Sequence, residues 1–148
     1  MIRKNLKLTK MKTNKILLGG IVGSVLFFLL GWVFYGILLK DFMAANYNQS
    51  LYRPMEDTIW WAMIASNLGW GFMVSFVLNW ANVTKALTGA KLAAIIGFLL
   101  AVSIDLGYYA MTTMISNLTA VLVDIIVYIV MSAIIGATIG WIIGSGKK

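Results

Sequence analysis

Cysteine and histidine are both absent from this 148-residue sequence, and proline occurs only once, at Pro54. Without cysteine there is no disulfide framework. The two absences also exclude a thiolate nucleophile, a histidine general base and a Cys/His zinc site. Five carboxylates remain as the only acidic side chains for acid–base or metal chemistry. We therefore expect no metal, no cofactor and no enzymatic activity.

Charged residues are also scarce. They form 11% of the chain, against 61% hydrophobic residues, whereas a soluble domain usually carries about 25% charged residues. Covering a water-facing surface with so few charges would expose large apolar patches, which soluble monomers avoid. The composition therefore predicts that the chain is surrounded by the lipid bilayer.

Four apolar runs are long enough to cross a hydrocarbon core of about 30 Å as α-helices. They are residues 16–39, 59–81, 92–115 and 120–144. The connections after the second and third runs are short, which favours antiparallel neighbours. The sequence thus predicts an all-α integral membrane protein, an antiparallel bundle of four transmembrane helices spanning residues 16–144. Proline and acidic residues suit a first helical turn, so helix two is expected to begin near Pro54.

The basic residues indicate the orientation. Six of the twelve lie in the tail 1–15, two in the connection 82–91 and two in the tail 145–148, against two in the first connection and none in the third. Lysine and arginine concentrate on the cytoplasmic side of membrane proteins, so both termini are predicted to be cytoplasmic. The net charge of +7 is therefore interpreted as a topology signal that can also touch anionic lipid, and not as a nucleic-acid site.

Glycines at four-residue spacing predict where helices approach closely, since small residues dominate helix contacts in lipid. Helix four carries two overlapping G-x-x-x-G steps, helix one carries one, and helix three has a glycine between two alanines. The packing candidates are Gly136, Gly140, Gly144, Gly19, Gly23 and Gly97. This glycine spacing has three interpretations: packing inside one bundle, a homodimer interface, or a ligand cleft.

Asp105 is the most informative polar residue. It lies 13 residues into the third apolar run, which predicts a position near the bilayer centre. A charged Asp there costs roughly 2.5–3.5 kcal/mol on insertion scales, so it should face protein or water. Its role is either a structural hydrogen bond between helices, ion or proton translocation, or binding of a small ligand or lipid.

Other polar residues fall in the same outer half of the predicted bundle. A pocket that opens to the outside could combine Asp105 with five of them: Asp124, Asn67, Tyr35, Tyr108 and Tyr128. No Lys or Arg lies inside the apolar runs to pair with Asp105. A simpler interpretation of Asp124 is that it is an interfacial charge near a helix N-terminus and not part of a pocket.

Several segments resemble a family of small bacterial four-helix membrane proteins, catalogued as a domain of unknown function and seen in Bacteroidetes. The segments are Leu30-Gly31-Trp32-Val33-Phe34-Tyr35-Gly36 before Lys40-Asp41-Phe42, Ala94-Ile95-Ile96-Gly97-Phe98-Leu99, and Val123-Asp124-Ile125-Ile126 running to Ile135-Gly136. The resemblance implies a multi-pass protein of the bacterial inner (cytoplasmic) membrane. It implies no catalytic residue.

The leading functional hypothesis is a non-enzymatic protein that acts by binding. It would be an accessory subunit of a membrane complex or a homo-oligomer, because glycine packing faces are abundant and a nucleophile–base set is missing. The alternative is a small proton- or ion-coupled transporter or channel that uses Asp105.

Overall fold

The computed structural model describes residues 13–145, and most of this range is helical. The predicted basic tails, 1–15 and 145–148, lie outside the described residues except for residues 13–15 and Ser145. Helix α1 (Thr13–Gly31) continues as a π-helical segment (Trp32–Leu38) and is followed by α2 (Lys40–Asn46), α3 (Trp60–Trp80), α4 (Ala86–Met111) and α5 (Leu118–Gly144). Two single 3₁₀ turns, Gln49–Leu51 and Met55–Asp57, lie between α2 and α3.

Four helices are each long and apolar enough to cross a membrane. They are Thr13–Leu38, which joins α1 to the π segment, Trp60–Trp80, Ala86–Met111 and Leu118–Gly144. The prediction of an all-helical chain with four candidate spans is confirmed over the described residues. This count of apolar helices indicates a multi-pass membrane protein.

Three predicted boundaries are wrong. Helix α4 begins at Ala86, inside the predicted connection 82–91 and not at its end. Helix α3 begins at Trp60, not near Pro54, because Pro54 precedes a 3₁₀ turn and Thr58 has an extended backbone (φ −63°, ψ 125°). Helix α4 ends at Met111, although the apolar run continues to Ile115. Ile115 is 5% exposed and packs against other protein residues. Its hydrophobicity therefore reflects burial beneath a connection and not contact with lipid.

Helix α5 lies at the centre of the fold. In its most apolar window 44% of the residues are buried inside the protein, against 22–28% in the other spans. Helix α4 packs along α5, α1 packs along α3, and both α1 and α3 contact α5. The other faces of α1, α3 and α4 are exposed on the surface of the bundle.

The connections gather at two ends, here named the cap end and the basic end. At the cap end, Tyr47 forms a single β-bridge with Ile115, Asn48 N–H donates to the Met114 carbonyl (3.0 Å), and Ser116 N–H donates to the Asn46 carbonyl (2.9 Å). These bonds tie residues 40–59 to residues 112–117.

The basic end holds the start of α1, the turn 81–85 and the end of α5. There the Lys15 ammonium donates to the carbonyl oxygens of Ile143 (2.6 Å) and Ser145. A cation in this position complements the C-terminal end of α5, whose last carbonyl groups have no partner within the helix. Asn82 makes the turn with a positive φ of 54°, a conformation that asparagine tolerates better than most residues.

Candidate functional site

The glycines of α5 lie directly against α4. A Cβ atom on Gly136 would collide with the carbonyl group of Gly89, and one on Gly140 would come within 2.8 Å of the Lys85 carbonyl oxygen. Gly144 meets the carbonyl of Thr84 in the same way, and Gly97 of α4 meets the side chain of Ser132. All four predicted packing glycines in α4 and α5 are thus used for close contact within the chain.

The two predicted glycines of α1 also face protein. A Cβ on Gly19 would lie 2.7 Å from the hydroxyl oxygen of Ser75 in α3, and one on Gly23 would lie 2.8 Å from the Ile139 side chain in α5. The Ser75 hydroxyl donates to the Ile16 carbonyl (2.9 Å), which joins α3 to α1. These glycines therefore position the helices and are not available to line a ligand site.

The two buried aspartates lie at the same level. Asp105 is six residues before the end of α4, and Asp124 is six residues after the start of α5. At a rise of about 1.5 Å per residue, both lie about 9 Å from the cap end. Asp105 therefore lies closer to the end of its helix than the apolar run predicts, because the helix ends four residues before that run does.

The carboxyl groups of Asp105 and Asp124 lie within hydrogen-bonding reach of each other. Asp105 is 7% exposed and Asp124 9% exposed. Two carboxyl groups can hydrogen-bond to each other only if one of them carries a proton. The pair therefore holds at least one proton.

Tyr35 connects this carboxyl pair to α1. Its hydroxyl group donates to Oδ1 of Asp124 at 2.5 Å. Tyr35 lies in the π-helical segment, in which Leu39 N–H donates to the Phe34 carbonyl five residues earlier (2.7 Å). Insertions of π geometry are frequent at functional sites because they change the direction of side chains. The sequence pattern alone gives no sign of this segment.

Tyr47 completes the cluster from the cap end. Its side chain is 8% exposed, and its hydroxyl group has no hydrogen-bond partner. Burial, followed by the nearby carboxylates of Asp124 and Asp105, raises the pKa of the Tyr47 hydroxyl above its usual value. Oδ2 of Asp105 is likewise buried and without a partner. Two polar atoms in one cluster are thus left unsatisfied.

Of the other predicted site residues, Tyr128 is brought close to the cluster, whereas Asn67 and Tyr108 are not part of it. Tyr128 lies near both carboxyl groups and contacts the Phe27 ring edge-to-face at 6.1 Å. The Asn67 amide donates within its own helix to the Met63 carbonyl (2.7 Å). Tyr108 is 47% exposed.

An apolar groove of about 530 Å³ adjoins the cluster. Tyr35 and Tyr128 belong to both the cluster and the groove, so they form the wall between the two. Aromatic and methionine side chains dominate the lining, and Trp32, Trp60 and Phe28 remain 59%, 55% and 44% exposed at its rim. The remaining lining residues are Phe27, Gly31, Met55, Thr58, Met63, Asn67 and Met131.

The groove is open on its outer side, between α1 and α3. Its size lies within the range of small-molecule sites, which are mostly apolar and carry a few polar groups. Here the polar groups are the two tyrosines, Asn67 and Thr58.

No basic side chain among residues 13–145 neutralises the aspartates. The groups that act on Asp105 and Asp124 are each other and Tyr35. Over the same residues, no three acidic side chains come together as a metal site would require. The cluster is therefore a buried, acidic and incompletely hydrogen-bonded site.

No protein-family model, curated protein or solved structure matches this chain. The geometry of the cluster and of the groove is therefore the basis for a functional proposal.

Proposed function

We propose that this chain is a protein of the bacterial inner membrane, an antiparallel four-helix bundle with both termini in the cytoplasm. Support for the antiparallel arrangement comes from the pairs that touch between α4 and α5: Thr84 with Gly144, Gly89 with Gly136, and Gly97 with Ser132. Support for the orientation comes from the excess of basic residues at the basic end. The cap end would then face the periplasm.

In this arrangement the protein acts by binding and not by catalysis. Its ligand is a membrane-dissolved amphiphile, a small molecule with one polar group and an apolar tail. The observation that carries the proposal is the groove of about 530 Å³, which opens sideways between α1 and α3 and has the two tyrosine rings at its inner wall. The exposed tryptophans at the rim suit the interface between headgroups and acyl chains.

A homodimer held together by the predicted glycine faces receives less support. Gly136, Gly140 and Gly144 are already in contact with the backbone of α4 in the same chain. A second copy could reach them only by displacing α4. A binding role for the groove, with a ligand or with part of a partner subunit, requires no such rearrangement.

Ion-coupled transport through Asp105 is the second candidate, favoured by the buried carboxyl pair. All five acidic residues of the chain are Asp41, Glu56, Asp57, Asp105 and Asp124, so none lies between the pair and the basic end. The path along α4 and α5 in that direction is closed by the contact of Gly89 with Gly136. A proton taken up at the cap end would have no carboxylate relay to the other side, so binding is the better-supported function.

Photolabelling tests the binding proposal. A long-chain alcohol carrying an alkyl diazirine is incorporated into phosphatidylcholine nanodiscs with the protein, and labelled residues are mapped by mass spectrometry. We expect saturable labelling at groove residues such as Trp32, Trp60 and Met63, which unlabelled alcohol displaces. Gly31→Leu should reduce this labelling several-fold, because a Cβ there meets only the end of the Met131 side chain, at 3.9 Å, and the rest of the leucine fills the groove.

Gly69→Leu is the matched control. It makes the same substitution on α3, where a Cβ meets nothing within 4 Å, and Gly69 does not line the groove. Its labelling should equal that of the wild-type protein. Labelling that is spread evenly over all lipid-facing residues, is not saturable and is unchanged by Gly31→Leu would contradict the proposal.

A further inference from the structure

The carboxyl pair lacks a positive charge. Asp105 and Asp124 are both more than nine-tenths buried, and the groups that act on them are each other and Tyr35. A buried charge without a partner is costly inside a membrane protein, and such residues usually mark a functional site. A pair that holds one proton carries one negative charge, which one monovalent cation would balance.

The cluster also has unused hydrogen-bonding capacity. Oδ2 of Asp105 and the hydroxyl oxygen of Tyr47 are buried without partners, although the great majority of buried polar atoms are satisfied in folded proteins. Both are oxygen atoms that can accept hydrogen bonds. An ammonium group supplies hydrogen-bond donors together with a positive charge.

The groove lies next to this cluster. Tyr35 lines the groove, and its hydroxyl reaches Asp124 at 2.5 Å. Tyr128 also lines the groove and lies near both carboxyl groups. A head group at the inner wall of the groove would therefore meet the phenol oxygens first and the carboxyl pair directly behind them. Aromatic rings such as those of Trp32 and Trp60 additionally attract cations.

We propose that the ligand of the groove is a lipophilic amine: its ammonium group binds at the phenol oxygens of Tyr35 and Tyr128, next to the carboxyl pair of Asp124 and Asp105, and its apolar tail occupies the groove. This inference rests on the proposed binding function and names the charge of the ligand. The protein should bind such a ligand more tightly than neutral or acidic amphiphiles of the same length. A neutral amphiphile brings an uncharged head group to the carboxyl pair, and an acidic one brings a head group of like charge.

Competition against the photoreactive alcohol measures the preference. Dodecylammonium and dodecanol have the same tail and differ in head-group charge, and the ammonium ion is fully charged at pH 7. The free energy of a hydrogen bond to a charged group is roughly twice that of a neutral one. We therefore expect dodecylammonium to displace the probe at a concentration about tenfold or more below the concentration of dodecanol that is needed. Equal potency of the two competitors would overturn the inference.

Two variants locate the effect. Asp124→Asn should abolish the advantage of dodecylammonium over dodecanol. Asp41→Asn removes the same charge from an exposed position on α2 and should preserve the advantage. Displacement of the photoreactive alcohol by dodecanol must persist in both variants, which shows that the groove is still folded. An advantage retained in Asp124→Asn and Asp105→Asn would contradict the assignment of the carboxyl pair.

The same assay separates failure of the inference from failure of the proposed function. If the alcohol labels the groove but head-group charge has no effect, the groove binds amphiphiles and only the charge assignment fails. If the alcohol does not label the groove, the binding function itself fails.

Discussion

Two tyrosine hydroxyls reach the same buried cluster with different consequences. The hydroxyl of Tyr35 has a carboxylate acceptor at 2.5 Å, whereas that of Tyr47 is buried without a partner. A buried hydrogen bond stabilises the folded state. A buried polar group without a hydrogen-bond partner destabilises it by the full free energy of removing that group from water. The two residues should therefore respond in opposite ways to loss of the hydroxyl group.

Replacement by phenylalanine measures this contrast. Tyr35→Phe should lower the free energy of unfolding by about 0.5–2 kcal/mol, the range for hydrogen bonds between membrane helices. Tyr47→Phe keeps the buried ring and removes only the unsatisfied hydroxyl, so it should leave that free energy unchanged or raise it. The measurement is equilibrium unfolding in mixed detergent micelles without added ligand. Equal destabilisation by both substitutions would show that Tyr47 also has a hydrogen-bond partner.

Between elements, the contact of α4 with α5 determines where the carboxyl pair lies. The buried residues of α4 follow a strict four-residue spacing: Gly89, Ala93, Gly97, Ala101 and Asp105. Four of the five are small, which lets the two backbones approach and brings Asp105 opposite Asp124. Each four-residue step turns the helix by about 40°. Tyr109, the next residue in the series, is therefore already 40% exposed.

Gly136→Leu tests this contact. The new Cβ would overlap the Ala93 side chain and the Gly89 backbone, and backbone cannot move aside as a flexible side chain can. We expect a loss of about 1–3 kcal/mol in the free energy of unfolding, as for other overpacked sites. Dodecanol-sensitive photolabelling should weaken as well, because α5 carries the Tyr128 wall of the groove.

The control for this substitution is Gly107→Leu on α4, where an added Cβ meets nothing within 4 Å. Leucine is the better helix former by nearly 1 kcal/mol, so this variant should be as stable as the wild-type protein or slightly more stable. If Gly136→Leu is equally well tolerated, α4 and α5 are not in the close contact described here.

The helices could be predicted from the sequence more fully than the site. Runs of apolar residues and four-residue glycine spacing are local signals, and they located the four spans and the small residues that separate them. The sequence also groups Asp105, Asp124, Tyr35 and Tyr128, because all four are predicted to lie in the outer half of the bundle or at its border. The sequence does not identify Tyr47 as part of the site, because it lies in a connection, where no periodicity would reveal its burial. The π-helical segment cannot be predicted either, because its sequence is as apolar as that of an ordinary helix.

At the scale of the whole molecule, the chain is divided between two unlike ends. The cap end holds the long connection, the carboxyl pair and the mouth of the groove. The basic end holds Lys15 and the short turn 81–85, and the sequence adds further basic residues in the tails. If the bundle is oriented by these charges, the groove and its ligand lie in the outer leaflet of the membrane.

Thiol labelling in intact cells measures this orientation, and the absence of cysteine from the chain makes every introduced thiol unique. Met55→Cys lies at the cap end, where Met55 is 81% exposed. Ala81→Cys lies at the other end, in the exposed turn after α3. Lys148→Cys lies outside the described residues, and the sequence predicts it on the same side as Ala81. A membrane-impermeant maleimide should label only Met55→Cys before lysis and all three variants after it, because ten of the twelve basic residues are predicted to stay in the cytoplasm.

Labelling of Ala81→Cys and Lys148→Cys but not Met55→Cys in intact cells would show that the protein has the opposite orientation, with the groove in the inner leaflet. Labelling of Lys148→Cys together with Met55→Cys, with Ala81→Cys protected, would require an odd number of spans and would contradict the four-helix arrangement itself.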